Sequence, residues 1–197
     1  IVPTPTVLLN VKKHSAQGGI SITASHNPPQ WNAMKFVDGD GMFLSPEKAS
    51  RFIESVNAEI SWNDWQNMGT VTEDAEAINY HIQRILAIPY LNIAQIRSKK
   101  FKVVLDSVNG AGGLASPLLL KALGCEVVEI NSEPTGVFAH TPEPLNENLH
   151  QLEENVKLHN ADLGFATDPD VDRLAIVDET GHCIGEEYSV ALAELFI

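Results

Sequence analysis

The chain has 197 residues, with 13 Lys or Arg against 26 Asp or Glu, a formal net charge of -13 and a pI of about 4.8. That balance argues against nucleic acid and anionic membrane surfaces as partners, because both need a basic footprint, but it leaves a phosphosugar or a cation possible at a local site. With 44% hydrophobic and 20% charged residues, the composition is that of a soluble globular protein long enough for a real core, and no apolar run approaches the roughly 18 residues needed to span a bilayer.

The chain opens on Ile1-Val2-Pro3 without a methionine and closes inside the helix-like run "SVALAELFI", so it reads as a fragment. Cys125 and Cys183 sit in apolar, strand-like settings and read as reduced thiols; with no signal peptide, this points to the cytoplasm. "GISITA" (19–24) alternates apolar and small residues and predicts a strand. Ser45-Pro46-Glu47 predicts a helix start, with Ser45 as N-cap, and a helix to about Ala58 that buries Phe52, Ile53 and Val56. Residues 61–72 read as irregular, and Glu73 to about Ile88 as a helix with an acidic first turn, stopped by Pro89.

After "RSKK" the pattern changes. "FKVVLDS", "CEVVEIN", "ADLGFATD" and "RLAIVDE" predict strands, while "AGGLASPLLLKALG" and "NENLHQLEENVKLHN" predict helices. This alternation implies an α/β fold with mixed, mostly parallel sheets flanked by helices. Boundaries are expected near residues 73–98 and near Gly181.

Three segments carry chemistry. In "DPDVDR", Asp168, Asp170 and Asp172 lie at alternate positions directly after an apolar strand, so an extended or looped backbone brings three carboxylates to one face. Such a cluster needs a compensating charge, and its oxygen ligands suit Mg²⁺ or Ca²⁺ better than a merely solvated turn. Reading Asp168–Glu179 as a helix-flanked calcium loop fails at the sixth position, which needs glycine and holds Arg173. In "NGAGGLA", Gly110, Gly112 and Ala115 fit G-x-G-x-x-A, with Glu129 downstream where a ribose-binding acid would stand. This nicotinamide or flavin reading is the weaker one, because "DSVN" separates the glycines from their strand. The favoured alternative is a glycine turn that lets a helix pack closely on a strand. In "TASHNP", Ser25 follows a strand with His26 beside it. Neighbours in sequence seldom form an acyl-transfer dyad, so a serine that carries a phosphoryl group is the better reading. Asp168, Asp170 and Asp172 would supply its cation, and Lys35 a further charge or a proton.

Together "TASHNPPQWNAMK" and "DPDVDR", with "VPTPT", "VVLDSVNGAGG" and "EPTGVFAHTPEP", resemble the α-D-phosphohexomutase family over nearly the whole chain. The resemblance implies part of domain 1 over residues 1–75, domain 2 over 76–181 and the start of domain 3 over 182–197, with the rest of domains 3 and 4 missing. It implies that Ser25 is a phosphoserine and that Asp168, Asp170 and Asp172 hold Mg²⁺, which also binds the Ser25 phosphoryl group. It further implies that Arg173 contacts phosphate, and that His26 and Lys35 serve proton transfer or phosphate contact. The activity implied is a mutase that interconverts hexose 1- and 6-phosphates through a hexose 1,6-bisphosphate. The fragment alone is expected to be inactive. A lysine acting as base would need its pKa lowered, by Arg173 and the metal. The family commonly has Asn-Gly where this chain has Asn32-Ala33, which places an extra Cβ close to the approach of Lys35.

Overall fold

A computed structural model describes residues 1–197. The first element, α1 (Thr4–Lys13), has no counterpart in the sequence reading. Proline within its first turn removes only an amide that has no helical partner there, and Lys12 and Lys13 face the negative end of the helix dipole. Strand β1 (Gly18–Ile22) pairs antiparallel with β2 (Met34–Asp38), in register from Gly18 opposite Asp38 to Ile22 opposite Met34. The long connection between them carries Ser25 and His26.

Helix α2 (Pro46–Val56) begins as expected, with Ser45 Oγ accepting the Lys48 amide at 3.3 Å. Its expected burial does not occur: Phe52, Ile53 and Val56 are 37%, 60% and 57% exposed, and no residue of α2 is buried. A two-stranded sheet is too narrow to cover the apolar stripe, and Phe52 finds one aromatic neighbour, Phe36, with ring centroids 4.5 Å apart. Helix α3 (Ala77–Leu86) is shorter than predicted. Asp74 lies outside it, taking up Lys13 Nζ and His14 Nε2 at 2.8 and 2.6 Å while its other oxygen accepts the Glu76 amide. Helix α4 (Ile93–Lys99) follows the Pro89 break and was not foreseen; Asn92 caps it.

The remaining elements follow the predicted alternation: β3 (Lys102–Asp106), α5 (Gly112–Ala122), β4 (Glu126–Ile130), α6 (His150–His159), β5 (Leu163–Thr167) and β6 (Leu174–Val177), then α7 (Glu187–Phe196). The four strands lie in the order β4-β3-β5-β6. The pairs of β3 with β4 and with β5 are parallel, while β6 runs antiparallel to β5. Helices cover both faces, so β3 reads as a continuous apolar run rather than an alternating one. Val104, Ala166, Ala175 and Val177 pack beneath Leu149, Leu152 and Val156 around α6. Val103 and Leu105 pack with Leu120 of α5 on the other face. Cys183 is buried and Cys125 half-buried, and both are free. Helix α3 packs against α1 on one side and α5 on the other, joining the small sheet to the large one.

Candidate active site

The carboxylate loop is the hairpin between β5 and β6. Asp168 directly follows β5, and its Oδ1 accepts the amides of Asp172 and Arg173 at 3.0 and 3.1 Å. The turn closes through Val171, which has φ +63° and donates its amide to the Asp168 carbonyl at 3.1 Å. From behind, Ala111 N–H donates to the Pro169 carbonyl at 2.8 Å. Gly110 permits this approach, since a Cβ there would lie 2.6 Å from the Cα and carbonyl oxygen of Pro169. The glycine segment therefore seats the loop. The missing Cβ of Gly112 faces Thr167, that of Gly113 faces the Ser132 carbonyl, and Glu129 pairs with Lys121 at 3.0 Å. The glycines serve close packing within the chain and Glu129 is already paired, so the dinucleotide alternative is not supported. The calcium-loop alternative is not supported either, because strands rather than helices flank the loop and β6 occupies Leu174–Val177 within it.

Oxygens of Asp168, Asp170 and Asp172 all lie within 4.8 Å of one another. Burial, together with the charges of Asp170 and Asp172, pushes Asp168 up to about 7. Burial also works to raise Asp170, but hydrogen bonds from Lys35 and Thr4 outweigh it and hold that carboxyl low. Asp170 Oδ2 accepts Thr4 Oγ1–H at 2.6 Å and Lys35 Nζ at 2.7 Å, while its Oδ1 is buried with no partner. Three converging oxygen donors, one of them orphaned, fit a hard divalent cation.

Lys35 on β2 also reaches Asp172, at 2.8 Å, so the extra Cβ of Ala33 does not turn it away. Burial acts to lower the Lys35 pKa, but the hydrogen bonds to Asp170 and Asp172 prevail and raise it. This reverses the lowering expected for a general base, because Lys35 meets carboxylates and not Arg173.

Ser25 has φ +51°, a left-handed conformation that costs a residue with a Cβ about 1–2 kcal/mol. Its amide donates to Thr23 Oγ1 at 2.9 Å, which helps hold the turn. The turn aims Ser25 Oγ at Asp168, donating to Oδ2 at 3.0 Å, with His26 Nδ1 at 3.4 Å from the same hydroxyl. Arg173 does not point at Ser25. Its Nη1 lies between Glu143 Oε1 at 3.5 Å and Glu186 Oε1 at 3.3 Å.

The structure thus brings Ser25, His26, Lys35, Asp168, Asp170 and Asp172 together and sets Arg173 at the edge. Sequence reasoning missed Thr4, Glu143 and Glu186. Thr4 lies in "VPTPT" and Glu143 in "TPEP", both noted only as family-like segments.

Fold and site define an α/β protein in which a serine on a strained turn faces a carboxylate centre suited to a metal ion. The chain belongs to the phosphoglucomutase/phosphomannomutase family: residues 1–62 match its alpha/beta/alpha domain I and residues 79–181 its alpha/beta/alpha domain II. It is 37% identical over 193 residues to a protein of Methanopyrus kandleri, and 39% identical over 198 residues to one of Pyrococcus horikoshii, both named probable phosphoglucosamine mutase. Those alignments cover 98% of this chain but 42% and 41% of the relatives, so the chain spans about two fifths of their length. A crystal structure from Thermus thermophilus, provisionally named a phosphomannomutase, superposes with a TM-score of 0.81 at 27% identity, covering 98% of this chain and 44% of that one. No helix is long and apolar enough to cross a membrane.

Proposed function

We propose that this chain is the phosphoryl-carrying part of a hexose phosphate mutase and that Ser25 is the carrier. The observation that bears most weight is the hydroxyl of Ser25 at 3.0 Å from a three-carboxylate cluster 143 residues away in sequence. A cluster of three carboxylates, two of them buried, beside a serine is poorly matched to a bare hydroxyl and well matched to a phosphoryl group bridged to it by a cation. Asp168, Asp170 and Asp172 would hold Mg²⁺, with an oxygen of phospho-Ser25 completing the set. The ion would neutralise charge on the transferring phosphoryl oxygens.

The chain's own groups position the reaction. The substrate is a hexose 1- or 6-phosphate. A free sugar hydroxyl attacks phosphorus on phospho-Ser25, the bond from phosphorus to Ser25 Oγ breaks, and the proton lost by the hydroxyl is returned to Oγ. The hexose 1,6-bisphosphate then turns end for end and gives its other phosphoryl group back to Ser25. His26, within reach of Oγ, would relay the proton. Lys35 would act as a fixed cation and, once the carboxylates are otherwise engaged, as a phosphate contact. Arg173 would exchange a carboxylate partner for phosphate. In this reading positioning and electrostatics provide most of the rate. The names of the archaeal relatives favour a glucosamine phosphate as substrate.

We retain the divisions at residues 75/76 and 181/182. Because the chain covers about two fifths of its relatives, it is not expected to turn over substrate alone. The test is the intact mass of the full-length protein with and without hexose 1,6-bisphosphate, beside Ser25→Ala. A gain of one phosphoryl group that maps to Ser25 and disappears in the variant is expected. Failure to phosphorylate under any Mg²⁺ condition would overturn the reading.

A further inference from the structure

The carboxylate with the orphaned oxygen is also held from outside its own loop, by two bonds from a single residue. Thr4, the first residue of α1, lies 166 residues from Asp170 in sequence and grips it twice. The Thr4 amide donates to the Asp170 carbonyl at 2.9 Å, and Thr4 Oγ1–H donates to Asp170 Oδ2 at 2.6 Å. The helix explains the first bond. Amides in the first turn of a helix have no partner within it, so that of Thr4 must find one outside. It finds the turn between β5 and β6, which brings the Asp170 carboxylate to the positive end of the α1 dipole.

The second bond belongs to a directed chain. Ser21 on β1 places its Oγ 2.9 Å from Thr4 Oγ1, and Ser21, Thr4 and Asp170 are all buried. A hydroxyl has one proton to give. Thr4 gives its proton to Asp170, so it accepts from Ser21. Ser21 thereby fixes the rotation of the Thr4 hydroxyl, and one run of hydrogen bonds threads β1, α1 and the carboxylate loop. Asp170 Oδ2 also takes Lys35 Nζ at 2.7 Å, whereas Oδ1 is buried with no partner. Two donors on one oxygen and none on the other decide which oxygen is open to a further bond. The two donors respond differently to an arriving cation. Lys35 carries the same sign and is repelled, while the neutral Thr4 hydroxyl is not.

We propose that Thr4 is a positioning residue for the metal centre: it holds Asp170 by backbone and side chain together, occupies Oδ2 and so leaves Oδ1 to the cation, with Ser21 setting the direction of its hydroxyl. A carboxylate restrained in this way before the ion arrives loses less freedom when it binds. The role assigned to Thr4 rests on the reading that the three aspartates hold Mg²⁺.

The experiment uses the full-length protein that contains these residues, with Ser25 dephosphorylated, and reads Mg²⁺ affinity by calorimetric titration beside thermal melts in chelator. Thr4→Val keeps the shape of the side chain and the amide bond to Asp170 and removes the hydroxyl. Its Mg²⁺ affinity should fall about ten- to hundredfold, the range for a lost partner of a metal ligand. Thr4→Ser restores the hydroxyl and should bind Mg²⁺ as the wild type does. Ser21→Ala leaves the Thr4 bond in place without its steering donor, and its affinity should fall between those of Thr4→Val and the wild type. Thr6→Val controls for stability alone. Its buried hydroxyl lies two residues further along α1, 2.8 Å from His81 Nδ1, and bonds to none of the three aspartates. It should lower Tm and leave Mg²⁺ affinity unchanged. A Thr4→Val protein that binds as tightly as the wild type, or a Thr6→Val protein that loses as much affinity, would overturn the proposal. Should Thr4→Val fail to fold, Ser21→Ala against Thr6→Val decides: equal affinities would overturn it, and a loss confined to Ser21→Ala would support it. A wild type that takes up no Mg²⁺ would sink the metal reading and the role of Thr4 with it, an outcome distinct from variants that match a wild type that binds.

Discussion

Gly110→Ala tests whether the glycine segment exists to seat the carboxylate loop. The added Cβ would lie 2.6 Å from both the Cα and the carbonyl oxygen of Pro169. Both are backbone atoms, and the proline ring fixes φ, so no side chain can swing aside and the loop must shift as a body. Such overpacking costs about 1–3 kcal/mol. Stretching the 2.8 Å bond from Ala111 to Pro169 adds about 1 kcal/mol. The lost freedom of the unfolded chain returns about 0.4–1 kcal/mol. The net destabilisation is about 1–3.5 kcal/mol, which lowers Tm by roughly 7 °C in the middle of that range. Circular dichroism melts of Gly110→Ala should show this drop, and calorimetric titration should show weaker Mg²⁺ binding, since the ligand loop has moved. Gly69→Ala is the control, because a Cβ there meets nothing within 4 Å and Tm should hold or rise slightly. A Gly110→Ala protein that melts and binds Mg²⁺ like the wild type would refute the seating argument.

Two further outcomes follow from the charges. Asp168 is pushed up to about 7 in the fold, against about 3.9 for a free Asp, so the folded state holds its proton more tightly than the unfolded state does. Without divalent cation, stability should therefore decline as pH rises from about 4 through about 7. Mg²⁺ should restore it, with an affinity that increases over the same range as the proton is displaced; melts with chelator or Mg²⁺ across pH will read both. Asp106→Asn removes the charge that, through its hydrogen bond, raises the His140 pKa, and it should cost about 1.5–3 kcal/mol at low pH. A raised histidine contributes stability that is complete below its unfolded pKa and lost as pH rises through the folded one, so the gap between variant and wild type should narrow in alkali.

The second sheet was legible because its strands are short runs rich in Val, Ile and Leu that alternate with helix-like segments, and because Gly124, at φ +81°, ends α5 where expected. Helix α1 was not legible, since "PTPTVLLNVKK" mixes prolines with β-branched residues and the helix depends on packing against β1 and α3. The stripe of Phe52, Ile53 and Val56 was read correctly as one face of a helix, but periodicity cannot say whether anything lies opposite it. In the site, Ser25, Lys35 and the three aspartates are bound to motifs with strong local constraints. Thr4, Glu143 and Glu186 enter through contacts between distant segments, and no spacing announces these. The carboxylate partners of Arg173 were not legible for the same reason: they come from separate segments.

The antiparallel turn from β5 to β6 has a consequence for how the site assembles. The three aspartates lie on a hairpin whose strands pair locally, from Thr167 opposite Leu174 to Gly164 opposite Val177. Hairpins of this kind close in about 1–10 μs. The contact from Ser25 to Asp168 closes a loop of 143 residues and must wait for the small sheet to dock through α1 and α3. The acidic cradle is therefore written into one short stretch of chain, while the serine's place beside it is underwritten by the docking of a distant sheet.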